Sequence, residues 1–236
     1  MAEKVNSTAL VIVAKASVVG KVKTRLCPPL SFEQAAQLYS GFLLDTVALA
    51  LQLADCSVKA VCPSPEDATQ LSQLLPSVVS YIIQREAGLT DALITAFAKC
   101  LAQGYRKVMC ISSDNPTLPV AYLKEAVAKL DQSELVLGPS EDGGYYLIGA
   151  KAVYPSLFTN MVWSTASVLA ETLERTSAAG LTTSLLPLWY DLDTYQELAR
   201  FQQELSLDQQ GAQHTRLALQ DLELDSLETG GKIDPA

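Results

Sequence analysis

The chain has 236 residues, 49% hydrophobic and 18% charged, with 26 acids against 17 bases for a net charge of −9. This composition excludes a disordered or low-complexity chain, and the acidic balance argues against a nucleic-acid binder, which needs a basic face for phosphates. The most apolar runs, residues 8–14 and 46–54, fall well short of the roughly 20 residues a membrane-spanning helix needs. With a short polar start and no cleavage pattern, a cytoplasmic protein with no membrane partner is expected.

Residues 9–14, Ala-Leu-Val-Ile-Val-Ala, read as a buried strand. Helical spacing follows over 32–53, with apolar residues at 35, 38, 39, 42, 43, 46/47, 50 and 53, and Ser31 with Gln34 forms a cap region. Residues 57–62 are a second strand, Pro65 opens a helix to about 75, and 78–83 are a third strand. Helical period returns over 90–103 and stops at Gly104. Next come a strand at 107–111, a loop at 112–119, a helix at 120–130, and strands at 134–137 and 145–148 around the loop 138–144. A helix at 165–179 ends at Gly180, and a strand at 181–188 and a helix at 194–204 complete the order. Alternating strands and helices specify an α/β protein, three layers α/β/α around a mainly parallel, Rossmann-like sheet. One domain is expected over residues 1–206. Residues 207–236 carry Asp208, Asp221, Glu223, Asp225, Glu228 and Asp234 against Arg216 and Lys232. They are expected to form an acidic tail, peripheral or partly disordered.

Five cysteines form no Cys-x-x-Cys pair, and the one histidine is His214. Reduced, mostly buried thiols are expected, and no zinc site. Chemistry is sought in the loops that leave the carboxyl ends of the strands, where open α/β sheets bind ligands. The first such loop, residues 15–26, holds Lys15, Lys21, Lys23 and Arg25 around Gly20, and no further base occurs until Lys59. Arg offers a fork for phosphate oxygens and Lys a mobile charge, so a small phosphorylated ligand is expected here. The loop matches neither a Walker A pattern nor Gly-x-Gly-x-x-Gly.

After the fourth strand, Asp114 follows Ser112-Ser113 and precedes Asn115-Pro116. It is too far from the next helix to cap it, and it is well placed for a hard divalent cation, which takes one or two carboxylates plus substrate phosphates. In the third loop Glu141 and Asp142 precede Gly143-Gly144. The glycines permit close approach of backbone to ligand, or form a hairpin turn. In the fourth, Asp193 either caps the last helix or completes a metal site with Asp114. Two like charges sharing a site repel, so neutralising Asp114 is expected to leave the ligand-free protein at least as stable.

Taken together these loops resemble a family of glycosyltransferases with the GT-A nucleotide-diphospho-sugar transferase fold, formerly a domain of unknown function and also called selenodomain-associated transferases. The residues that carry the likeness are Val13-Ala14-Lys15 with Gly20-Lys21-Val22-Lys23-Thr24-Arg25-Leu26, and Ser113-Asp114-Asn115-Pro116 with Leu118-Pro119. They continue with the run from Gly138-Pro139-Ser140 through Glu141-Asp142-Gly143-Gly144-Tyr145-Tyr146 to Gly149, then Trp163-Ser164-Thr165 and Asp191-Leu192-Asp193-Thr194. The likeness runs from about Ala9 to Leu198. Where the family usually has a Gly and a Thr before the Asp of the fourth strand, this chain has Ser112-Ser113. The segment Gly88-Leu89-Thr90-Asp91-Ala92-Leu93 is nearer to the phospholactate and phosphoenolpyruvate guanylyltransferases.

The resemblance implies a metal-dependent transferase using a nucleotide donor, either a glycosyltransferase or a nucleotidyltransferase acting on a small phosphorylated acid. Lys15, Lys23 and Arg25 would hold the donor phosphates, and Thr90 and Asp91 its base or ribose. Asp114 and Asp193 would bind Mg²⁺ or Mn²⁺, with Asp114 and Asp142 as catalytic residues. Gly143, Gly144 and Trp163 would shape the side of a small-molecule acceptor. A non-catalytic nucleotide-binding module is the remaining alternative.

Overall fold

A computed structural model of the chain describes residues 7–207 and 211–222. Seven strands form one sheet: β1 (Thr8–Val13), β2 (Cys56–Cys62), β3 (Ser80–Ile83), β4 (Lys107–Ser112), β5 (Leu135–Pro139), β6 (Tyr145–Ala150) and β7 (Thr183–Leu185). Their order is β3-β2-β1-β4-β6-β5-β7. All pairings are parallel except those of β6, which runs antiparallel to β4 and to β5. The helices are α1 (Phe32–Ala50), α2 (Pro65–Leu74), α3 (Leu89–Ala102), α4 (Val120–Gln132), α5 (Val168–Ala178), α6 (Tyr195–Leu207) and α7 (Gln213–Asp221). None of the described helices is long and apolar enough to cross a membrane.

Successive strand residues point to opposite faces, which sorts the core into two layers. Leu10 and Ile12 of β1 join α1 and α4 on one face; Ala9 and Val11 join α3 on the other. The capping box expected at α1 forms. The Gln34 N–H donates to Ser31 Oγ at 3.2 Å, and the Ser31 N–H to Gln34 Oε1 at 2.8 Å.

The chain moves outward from β1 to β3 on one side and restarts at β4 on the other. The crevice between the β1 and β4 loops is therefore the switch point at which such sheets bind ligands. Because β6 is reversed, β5 and β7 run in the same sense as β4, so their carboxyl-end loops open on the same edge.

Of the expected acidic tail, residues 207 and 211–222 are described. Residues 213–221 form α7, which packs along α1 with Thr215 fully buried. The buried Asp45 carboxylate of α1 accepts the His214 and Thr215 N–H groups at 3.1 and 2.8 Å and the Thr215 hydroxyl at 2.6 Å. It thereby satisfies N–H groups that the first turn of a helix leaves open. Gly41 lets the two backbones close: a Cβ there would stand 3.0 Å from Thr215 Cα. Asp208, Glu223, Asp225, Glu228, Lys232 and Asp234 lie outside the described residues. The five cysteines are free, with Cys62, Cys100 and Cys110 buried.

Candidate active site

The loops after β4 and β7 are sewn together by main-chain and amide bonds. The Leu192 N–H donates to the Asp114 carbonyl at 3.0 Å. The Asn115 side-chain amide donates to the Tyr190 carbonyl and to Asp191 Oδ1, each at 2.7 Å. Ser112 and Ser113 support the same loop. Ser112 Oγ accepts the Asp114 N–H at 3.0 Å, and Ser113 Oγ lies 3.0 Å from the Tyr39 hydroxyl. Asp114 and Asp193 are thereby held side by side.

Between them stands Lys23. Its Nζ is 2.9 Å from Asp114 Oδ1 and 2.7 Å from Asp193 Oδ1, and it also donates to the Leu192 carbonyl at 2.6 Å. The Lys23 side chain is only 5% exposed, against 29% and 34% for the two carboxylates. Burial alone would lower its pKa, but the charges of Asp114 and Asp193 outweigh burial and raise it, so it stays an ammonium. The backbone that delivers it is left-handed, with φ +47°, a conformation uncommon for a residue with a Cβ. The expectation that Lys23 stands free for phosphate is corrected: its charge is committed to two carboxylates.

Arg25 is held more loosely. It is 69% exposed, reaching Asp193 at 3.4 Å by one nitrogen. Lys15 and Lys21 are exposed too. With Lys23, Asp114 and Asp193 these bases line a cavity of about 480 Å³, bounded on its far side by Pro63, Gln84, Gly88 and Leu89. Asp193 does not cap α6. The Glu197 carboxylate does so by accepting the Asp193 and Thr194 N–H groups at 2.8 and 2.6 Å, which leaves the Asp193 carboxylate to Lys23 and Arg25.

A second cavity, about 170 Å³, is lined by Asp114, Asp142, Asp191, Asp193, Gly144 and Trp163, among others. Asp142 accepts the Gly144 N–H on Oδ1 at 2.9 Å, and the residue is exposed. Asp191 is a carboxylate the sequence reading left out of the site. Burial pushes its pKa up to about 6, opposed by bonds from Ser140 and Asn115 and aided by the charges of Asp114 and Asp142. The signal was its place two residues before Asp193, and both residues line this cavity. Leu192 between them is buried.

Three further expectations are corrected. The Asp91 carboxylate accepts the Arg85 and Glu86 N–H groups at 2.6 and 3.0 Å and the Thr95 hydroxyl at 3.1 Å. Through its Oδ2 atom it ties down the loop before α3, and its Oδ1 lies 3.4 Å from an Arg85 guanidinium nitrogen. Thr90 donates to the Phe158 carbonyl and accepts the Trp163 indole N–H at 2.8 Å, so it positions Trp163 and does not face a base or ribose. Gly143 makes room for the protein's own backbone. With φ +86°, its missing Cβ would lie 2.3 Å from the Ala166 carbonyl oxygen.

Gly143→Ala is therefore expected to cost about 3 kcal/mol or more, from left-handed strain and a clash that no side-chain rotation relieves. Thermal unfolding checks this. A variant that melts within a degree or two of wild type would mean that the loop re-forms freely.

A cationic loop and paired carboxylates at the switch point of this mixed sheet define the class, the nucleotide-diphospho-sugar transferase fold, and solved structures share it. A protein of Desulfovibrio desulfuricans G20, provisionally described as a nucleotide-diphospho-sugar transferase, matches over 92% of this chain and 96% of its own, with a TM-score of 0.83 and 26% identity. CMP:2-keto-3-deoxy-manno-octonic acid synthetase in complex with CTP matches over 85% and 98%, with a TM-score of 0.55 and 12% identity. Rv0371C of Mycobacterium tuberculosis H37Rv in complex with manganese matches over 82% and 95%, with a TM-score of 0.52 and 14% identity. No curated protein matches the chain. The chain belongs to the family described as "Uncharacterized protein conserved in bacteria (DUF2064)", which matches residues 46–165.

Proposed function

We propose that the chain is a transferase that moves a glycosyl group from a nucleotide-sugar donor to a small-molecule acceptor, with Mg²⁺ or Mn²⁺ held by Asp114 and Asp193. One observation carries this reading: two carboxylates from separate loops close on a single cation, at 2.9 and 2.7 Å, on the wall of a cavity that Lys15, Lys21 and Arg25 also line. Two carboxylates, with substrate phosphates completing the shell, are the donor set a hard divalent ion takes. Among the described residues no group of three or more His, Cys, Asp or Glu is arranged to hold a metal, and donor phosphates would complete the shell beside the two carboxylates. The neighbour from Desulfovibrio desulfuricans G20 supports the donor class, and the manganese complex of Rv0371C supports the ion.

The bound ion would neutralise charge on the donor phosphates. The protein's own part is position and charge. Arg25 and Lys15 hold phosphate oxygens, and Asp142, whose second carboxylate oxygen is not used in its turn, takes a proton from the acceptor. A base that works by position contributes about 10²–10⁴-fold, so no activated nucleophile is required.

A second reading, nucleotidyl transfer, is favoured by the basic wall itself. Lys15, Lys21 and Arg25, beyond the already neutralised Lys23, suit the charge of a triphosphate, and one fold neighbour carries CTP. Product analysis over a panel of nucleotide sugars and nucleoside triphosphates with Mn²⁺ separates the two. Glycosyl transfer releases a nucleoside phosphate and no pyrophosphate, whereas nucleotidyl transfer releases pyrophosphate. Binding without turnover of any donor would leave a binding module and sink both readings.

Arg25→Ala tests the phosphate loop. It is expected to weaken nucleotide binding by roughly 30-fold, about 2 kcal/mol for a truncated charged contact, while unfolding stays within about 0.5 kcal/mol of wild type, as for other surface substitutions. Equal losses of affinity and stability would mean that Arg25 holds the fold.

A further inference from the structure

Three cavities meet at this edge, and Leu89 and Asp114 stand on the walls of all of them. Two are polar and are described above. The third, about 200 Å³, runs under the N-terminus of α3 against β1, β4 and β6. Its lining includes Leu93, Cys110 and Ile148, each 2% exposed or less, with Val13 beside them. Burial holds the Cys110 thiol well above its usual pKa, so that wall carries no charge. Its polar side chains are Ser112, Ser113 and Asp114, which follow one another where β4 runs out into its loop on the side of the other two cavities, and Tyr145 and Tyr146 of β6, of which Tyr146 donates its hydroxyl to the Pro187 carbonyl.

An apolar cavity of about 150 Å³ takes a benzene-sized molecule, so this one has room for a ring and a further carbon. A sugar or a nucleobase buried there has more hydroxyls or ring nitrogens than these few groups can pair, and each one left over carries a cost. The donor's phosphates have their partners in the basic cavity instead. Leu89 and Asp114 join the apolar cavity to the acidic one, so a molecule with an apolar body in the former presents its polar end beside Asp114 and Asp142.

Resting on the transferase reading above, we infer that the acceptor is an alcohol, or its monophosphate, carried on an apolar group of about ring size that fills this cavity. The body of the acceptor is thus not a sugar.

The probe is 4-fluorobenzyl alcohol, followed by fluorine NMR on the full chain, with methyl glucoside as the polar contrast. Wild type is expected to bind the fluoroalcohol, to ignore the glucoside at equal concentration, and to keep the fluoroalcohol when CTP or GTP with Mn²⁺ is added. Cys110→Leu and Leu93→Phe each fill the cavity and should weaken the fluoroalcohol at least fivefold while keeping the nucleotide-induced rise in melting temperature. The inference is overturned if the fluoroalcohol does not bind. It is also overturned if the glucoside binds as well, if the nucleotide displaces the fluoroalcohol, or if both folded variants bind it as wild type does. Because the alcohol is read without nucleotide, its failure is distinct from a failure of nucleotide binding, which would strike the transferase reading itself.

Discussion

Lys23→Met is expected to melt about 4–8 °C below wild type when no ligand is present, equivalent to about 2 kcal/mol in a chain of this size. Breaking a buried ion pair costs about 3–5 kcal/mol, and partial exposure of Asp114 and Asp193 reduces that figure here. The same variant should bind Mn²⁺ in the absence of nucleotide, seen as loss of the free-ion signal in electron paramagnetic resonance. Wild type should bind Mn²⁺ at least tenfold more weakly, because the ion must displace an ammonium that donates to both carboxylates. Nucleotide phosphates offer that ammonium another anion, so in wild type the ion and the donor should bind together. An unchanged melting temperature with no new Mn²⁺ binding would remove Lys23 from the metal position.

Asp114→Asn should lower turnover on the order of 10²-fold or more, since it removes a charge that acts on the reacting phosphates. Its effect on the ligand-free protein runs opposite to the expectation from sequence. Relief of repulsion holds only for two carboxylates facing each other alone. With Lys23 Nζ at 2.9 Å, the substitution removes an attraction, so the variant should melt slightly lower than wild type. Full turnover in a folded Asp114→Asn protein would exclude a catalytic role for this carboxylate.

Much of this arrangement is legible in the sequence because it rests on periodicity and punctuation. The β-branched runs, the helical spacing of α1 and α3, and the Ser31–Gln34 cap each announce themselves locally. The parallel strands then put the loops that carry Arg25, Asp114 and Asp193 on one edge. What failed depends on contacts between distant segments. α7 carries a weak apolar pattern and is fixed by Asp45 and Gly41, residues about 170 positions upstream.

Lys23 reads as a phosphate-loop base until a left-handed turn aims it at loops about 90 and 170 residues away. Thr90 and Asp91 look like ligand groups because polar residues at the start of a helix near a strand end serve either a ligand or the loop. The N–H groups of Arg85 and Glu86 decide for the loop. Gly143 has the same ambiguity, and the Ala166 backbone resolves it.

The most direct test of the account is nucleotide-dependent thermal stabilisation of wild type beside Arg25→Ala and Asp114→Asn, with and without Mn²⁺. A nucleotide donor at a hundredfold over its dissociation constant stabilises the fold by about 2.7 kcal/mol, so wild type should rise by roughly 5–10 °C. That rise should need Mn²⁺ and should shrink sharply in both variants. No stabilisation of wild type by any nucleotide or nucleotide sugar, or an equal rise in all three proteins, would contradict a donor site built from the basic loop and the paired carboxylates.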